Sequence, residues 1–268
     1  MQLVRQIEIG VDVDGDGAPD LDPARVYYFG QSFGGMYGTI FLGVERDVRV
    51  GVPNVPGGAV VDIVRLSPAF RLGILTPLVA VRGLLNLPPA GGLPQFNENS
   101  PLRDLPAVIN DVPGAMALQD YFEQSEWGSQ VGNPVAYAPY LRKSPLKGNP
   151  VKSVIFQIAK GDQTVPNPTN TAILRAGDLQ DRTTYFRNDL AFAINPAPNP
   201  GGVPKNPHTF LTNIGLGGFA AGIALMAQAQ IAIFFASDGA LTIDPDGANP
   251  LFETPIAPPL PEALNFIP

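Results

Sequence analysis

Apolar residues fall along this chain in two alternating regimes. Short runs of strand-forming residues at 26–29, 48–52 and 151–159 are separated by segments whose apolar positions recur at helical spacing. Residues 1–9 predict a short amphipathic helix rather than a signal peptide, with Leu3, Val4 and Ile7, joined by Val11, on one face. The run 26–29 leads into a tight turn, and small residues then open a helix that continues through 39–42. The strand at 48–52 follows and ends in a loop over 53–58. Strand, turn, helix and strand at this spacing is what a right-handed parallel crossover requires.

From 59 to 150 the pattern changes. Apolar helical segments at Val60–Leu66, 72–87 and 106–126 are broken by proline-glycine clusters such as Pro88-Pro89-Ala90-Gly91-Gly92, and no strand alternation is visible. The region reads as an inserted helical cap. Its segment 72–87 is apolar on more than one face, which fits either an ordinary buried helix or a lid over an apolar ligand. Strand character returns at 151–159, a helix is expected over 169–176, and 211–236 forms a long apolar run. That run is long enough to span a bilayer, yet Asn213, Gln228, Gln230 and several glycines dilute it and no basic flank follows. It is expected to be a buried helix beside the one after the tight turn, with no stable membrane span.

The predicted fold class is α/β, with a mostly parallel sheet. The expected organisation is a discontinuous core of 1–58 and 151–243, a cap of 59–150 and a proline-rich tail of 244–268 that wraps the surface or links onward.

Composition narrows the partners more than the fold. The chain has 268 residues, 45% of them hydrophobic and 15% charged, which marks it as globular, and its 30 prolines and 29 glycines predict long irregular connections. A net charge of −7 argues against nucleic acid, because neutralising a phosphate backbone needs a basic surface. With no cysteine, disulfides, thiolate metal sites and cysteine catalysis are excluded.

The candidate chemistry lies first in Val26-Tyr27-Tyr28-Phe29-Gly30-Gln31-Ser32-Phe33-Gly34-Gly35. A serine held at a strained strand-to-helix turn brings backbone very close, so flanking positions must lack bulk, and Gly30, Gly34 and Gly35 meet that need. The helix that follows aims its N-terminal N–H groups at the turn, where they stabilise negative charge on an oxygen. Ser32 is the candidate nucleophile. The alternative is a glycine-rich turn carrying a solvated serine.

A second stretch, Asp12 to Asp22, places Asp12, Asp14, Asp16, Asp20 and Asp22 within eleven residues, with Gly17 where a Ca2+ loop turns sharply. Pro23 stands where an EF-hand needs its bidentate glutamate, so the loop is not an EF-hand. It is similar to the aspartate-rich calcium loops of extracellular repeat proteins. Five carboxylates this close repel one another unless a cation sits among them; the alternative is a solvated acidic turn. Calcium, if bound, points to a secreted protein.

Asp162 lies in Gly161-Asp162-Gln163-Thr164, just past the carboxyl end of the strand at 151–159, where open α/β sheets assemble their sites. His208, the only histidine, sits in the loop Asn206-Pro207-His208-Thr209. The order Ser32, Asp162, His208 is demanding as a joint condition, and it belongs to one hydrolase architecture.

On these residues the chain resembles an α/β-hydrolase of the lipase and esterase kind, and in particular the C-terminal catalytic part of large secreted bacterial lipases. The resemblance runs from about residue 20 to 236. It implies Ser32 as nucleophile, His208 as general base, Asp162 as its orienting carboxylate and the Phe33 N–H as one oxyanion donor. It implies a carboxylester hydrolase acting through an acyl-enzyme on small-molecule or lipid esters with apolar acyl chains and needing no cofactor for catalysis; a structural Ca2+ is the separate expectation from the acidic loop. One departure is plain. The family places several strands and an oxyanion loop before the serine turn, whereas about 25 residues precede Val26 here. The chain is then a C-terminal portion, a partner to strands from elsewhere, or a reduced variant. In each case an unpaired sheet edge favours homo-oligomers. The rival expectation is a catalytically weak or inactive hydrolase fragment that serves as a binding or assembly module.

Overall fold

The computed structural model describes residues 1–71, 73, 78, 83–90, 93–99 and 108–267. The expected helical segment at 72–87 lies mostly outside them, as does the first part of 106–126. An amphipathic helix α1 (Gln2–Ile9) opens the chain, but of its expected apolar face only Val4 is buried, and Leu3 is exposed. Strand β1 (Tyr27–Gln31) runs into helix α2 (Phe33–Val44), and strand β2 (Val50–Asn54) follows. Both strands end two residues later than hydropathy indicates, because Gly30 pairs with Pro53 and Gln31 with Asn54 in parallel register.

Next come α3 (Val60–Leu66), a short antiparallel pair β3 (Leu87–Ala90) and β4 (Leu93–Gln95), α4 (Ala115–Ser129) and α5 (Pro134–Leu141). The β3–β4 pair corrects the expectation of a strandless insertion. Helix α4 starts at Ala115 rather than within 108–114, because Pro113 and a left-handed Gly114 (φ 79°) precede it. The insertion has its own small core of Leu78, Phe96, Leu118 and Phe122, whereas Ala138 and Leu141 of α5 belong to the main core. The main core therefore resumes before residue 150.

The strand expected at 151–159 is interrupted at Ile155, giving β5 (Ser153–Val154) and β6 (Phe156–Ala159), both paired with β2. Helix α6 (Asn167–Gly177), strand β7 (Thr183–Phe186), helix α7 (Asn188–Ile194), a 3-10 segment (Pro207–Leu216) and helix α8 (Gly218–Ala236) follow. The long apolar run is thus broken at Gly217 (φ 70°). The expected tail contributes a strand: β8 (Phe252–Glu253) pairs antiparallel with β7 and buries Leu251, Phe252 and Ile256.

Among the described residues the main sheet has the order β1-β2-β6-β7-β8, parallel except for β8. This is an α/β architecture, a mostly parallel sheet with helices on both faces. Alternation along the strands assigns the faces. Phe156, Ile158 and Tyr185 point toward one core with Leu42 of α2, Ala138 of α5 and Ile173 of α6. Val50, Val52 and Ile155 point the other way, onto Phe234 of α8, and Ala159 and Phe186 do so onto Ile223 and Ala227. Helix α8 therefore lies across the sheet from α2, not beside it. Its polar residues explain why it belongs there: the Gln157 amide donates to the Gln230 side chain (2.8 Å) and to Ala227 O (3.1 Å) inside that layer. Strand β1 is the edge strand expected from the sequence.

Candidate active site

Parallel order brings the carboxyl ends of β1, β2 and β6 to one rim, and three turns rise from it. At the first, Ser32 adopts φ 57° and ψ −120°, a strained conformation for a residue with a Cβ, costing about 1–3 kcal/mol. Its N–H donates to Asn54 O (2.9 Å), and the Tyr28 hydroxyl donates to Gly34 O (2.7 Å), so both sides of the turn are pinned. Ser32 occupies the N-cap of α2, where a serine oxygen ordinarily accepts from the first turn of the helix, yet it makes no such bond. The Oγ instead lies 2.7 Å from His208 Nε2. The N–H of Phe33, the first residue of α2, is among the orphan donors of the helix, and Phe33 is 75% exposed.

The second turn carries Asp162, fully buried. Its Oδ1 accepts the N–H groups of Thr164 and Val165, both at 2.8 Å, which leaves Oδ2 for His208 Nδ1 at 2.8 Å. Gly161 holds φ 73°, and Asn167 staples the turn, accepting from Gly161 N (2.8 Å) and donating to Ala159 O (2.8 Å). The insertion is tied to the same turn, because Ser67 Oγ and Ala69 N both donate to Gln163 O (2.8 and 3.2 Å). From the far end of the chain, Ile267 O accepts from Gln163 Nε2 (3.1 Å).

His208 enters on the third turn, at the start of the 3-10 segment, and is 8% exposed. With hydrogen on Nδ1, the ring donates to Asp162 and its Nε2 is free to accept the Ser32 O–H. Residues 32, 162 and 208 thus form one continuous hydrogen-bonded line at the sheet rim. Tyr28, Asn167 and Ser67, which brace these turns, are invisible to motif reading; the one available signal was an asparagine five residues past the aspartate at the head of a helix.

The acidic loop lies apart from this line. Asp12, Asp14 and Asp20 each present an oxygen within 4.8 Å of the others, all on exposed side chains. Such spacing fits oxygens placed 2.3–2.6 Å around one Ca2+. Backbone N–H groups of Gly17 (2.8 Å) and Gly15 (2.6 Å) already hold the Asp12 carboxylate below its ordinary range. Asp16 and Asp22 are not among these three; they accept from Ala18 N (2.8 Å) and Ala24 N (2.9 Å). Of the five carboxylates expected from the sequence, the structure brings these three together.

No family model matches this chain, and no curated protein matches it. Among solved structures it is similar to acetyl xylan esterase 1 from Thermoanaerobacterium sp. JW/SL YS485, with 17% identity and a TM-score of 0.29 over 60% of this chain. The chain spans 38% of that esterase's length.

Proposed function

We propose that this protein is a serine carboxylester hydrolase that works through an acyl-enzyme. The observation that carries the proposal is the unbroken contact from Ser32 Oγ to His208 Nε2 (2.7 Å) and from His208 Nδ1 to Asp162 Oδ2 (2.8 Å). In this mechanism His208 removes the Ser32 proton as Oγ attacks the ester carbonyl, and the carbonyl oxygen becomes an oxyanion. The buried Asp162 carboxylate stabilises the imidazolium. The Phe33 N–H and the dipole of α2 face the oxyanion. Collapse passes the proton from His208 to the departing alkoxide, leaving Ser32 acylated and the alcohol free. A water then gives its proton to His208, attacks the acyl carbon and releases the carboxylic acid with Ser32 restored.

Substrates with an apolar acyl chain fit the surroundings. Phe33 adjoins the nucleophile, Phe70 sits on the turn that Ser67 ties to Gln163, and Ile214 and Leu216 belong to the segment that carries His208; all four are exposed. Asp12, Asp14 and Asp20 would hold a structural Ca2+, which in turn favours an extracellular setting.

One observation favours the rival, a weakly active or inactive binding module. The strand that delivers Ser32 is the sheet edge among the described residues, so no strand beyond it supplies a second oxyanion donor. Loss of one such donor costs about 10²–10³ in rate. Hydrolysis of p-nitrophenyl acyl esters by the purified chain, compared with Ser32→Ala, separates the two. Turnover that disappears in Ser32→Ala supports the hydrolase; equal rates for both proteins exclude it.

A further inference from the structure

We propose that Gln31 and Asn206 are positioning residues that clamp the backbone of His208 from two sides, a proposal that rests on the serine-hydrolase reading above. His208 is not carried by a strand. It lies more than twenty residues past the end of β7 (Thr183–Phe186), on a loop whose own secondary structure is a short 3-10 segment. Yet its ring has to meet two partners fixed on other strands, each within about 3 Å. Something outside the ring must set where the loop sits.

Two side chains do so, both through hydrogen bonds to the His208 backbone rather than to its ring. Gln31 is the last residue of β1, directly before the nucleophile, and its Nε2 donates to His208 O (3.0 Å). Asn206 works from the opposite direction. Its Oδ1 accepts from His208 N (3.2 Å) and from Gln163 N (3.1 Å), the residue after the acid, and its Nδ2 donates to Thr164 Oγ1 (2.9 Å). The peptide groups of His208 are therefore tied to the serine strand through Gln31 and to the aspartate turn through Asn206. One amide measures the distance from base to nucleophile, and the other measures it from base to acid. Both are cross-links between turns, separated in sequence by 177 residues for Gln31 and 43 for Asn206. The Asn206 bond to His208 N also caps the 3-10 segment, whereas its bonds to Gln163 and Thr164, and the Gln31 bond, complete neither a helix nor a sheet ladder.

The consequence is kinetic. A displacement of about 1 Å at a reacting group costs on the order of 10² in rate. Substrate contacts are untouched, so the loss belongs in kcat.

The test uses the full chain and p-nitrophenyl butyrate, with kcat, KM and the thermal midpoint measured for Gln31→Met, Asn206→Ala and Asn206→Asp, and active sites counted by phosphonate titration. Asn206→Ala should lower kcat ~10–100-fold and Gln31→Met ~3–30-fold, with KM within about twofold. Asn206→Asp should recover most of the loss, because a carboxylate oxygen still accepts both N–H groups and the Thr164 hydroxyl can donate to it. Its added charge should also move the acidic limb of the kcat/KM profile upward. If Asn206→Ala does not fold, Gln31→Met and Asn206→Asp decide the matter. Undiminished kcat in Gln31→Met and in the folded Asn206 variants overturns the clamp while leaving the hydrolase intact, as does an equal loss in Asn206→Asp and Asn206→Ala. A wild-type chain whose turnover survives Ser32→Ala overturns the hydrolase assignment, and the clamp falls with it.

Discussion

The three glycines around Ser32 look equivalent in sequence and are not equivalent in space, so replacing each by alanine tests the turn directly. A methyl at Gly30 would stand 2.4 Å from Gly34 O and 2.5 Å from Gly34 C. An ordinary carbon–oxygen contact is roughly 3.4 Å, so the backbone on one side of the nucleophile must move by about 1 Å. Overpacking of that kind costs ~1–3 kcal/mol, which lowers the melting temperature by ~3–10 °C in a chain of this size, and the displacement costs ~10² in kcat. At Gly35 the contact would be 2.8 Å to Asn54 O, so a smaller loss is expected. At Gly34 a methyl meets nothing within 4 Å, and the residue lies inside α2. Alanine there should raise stability by ~0.5–1 kcal/mol through its helix preference. Calorimetry with ester turnover reads both quantities. Gly34→Ala losing as much stability and activity as Gly30→Ala would refute the steric account of the turn.

Three further outcomes are expected. Asp162→Asn keeps an oxygen for the Thr164 and Val165 N–H groups but turns an amide toward His208 Nδ1, forcing the wrong tautomer, so kcat should fall ~10³–10⁴-fold; a loss below tenfold would contradict the orienting role. Burial, with Asp246 alongside, pushes the Asp244 carboxyl up to about 6 from its ordinary 3.8. A folded-state value above the unfolded one gives stability that is complete below pH 3.8 and lost as pH rises through 6, so Asp244→Asn should flatten the decline of the melting temperature over that window; an unchanged slope would contradict it. Calcium chloride should raise the melting temperature of the wild type and leave an Asp12→Asn/Asp14→Asn variant unmoved, whereas a chelator without effect on the wild type would reduce the acidic loop to a turn.

The line from Ser32 to His208 to Asp162 was legible because each residue type is chemically constrained, the three stand in a fixed order, and Ser32 and Asp162 each follow a strand end. The bracing side chains were not: Ser67 reaches backbone 96 residues away, and Tyr28 and Asn167 bond backbone six residues away through residue types that belong to no motif. Helix α8 was expected beside α2, yet it covers the opposite face. Strands buried on both faces read as continuous apolar runs, so hydropathy does not say which face a helix takes. The decisive signal was a polar one, Gln157 meeting Gln230 across the layer. Strand β8 was hidden for a different reason: two residues flanked by prolines fall below any periodicity, and pairing with β7 alone makes them a strand. In the acidic loop, composition counts five carboxylates but not their placement, and Asp12, Asp14 and Asp20 are the three whose oxygens lie within 4.8 Å of one another.

The central claim is that Ser32 becomes a covalent nucleophile because His208 and Asp162 activate it. Incubation with diethyl p-nitrophenyl phosphate, followed by intact-mass and peptide mass spectrometry, tests it most directly. The account predicts one phosphoryl adduct per chain, located on Ser32, with its rate of formation falling at least ~10³-fold in His208→Ala. A chain that stays unlabelled, an adduct on another residue, or labelling that is as fast in His208→Ala as in the wild type would contradict it.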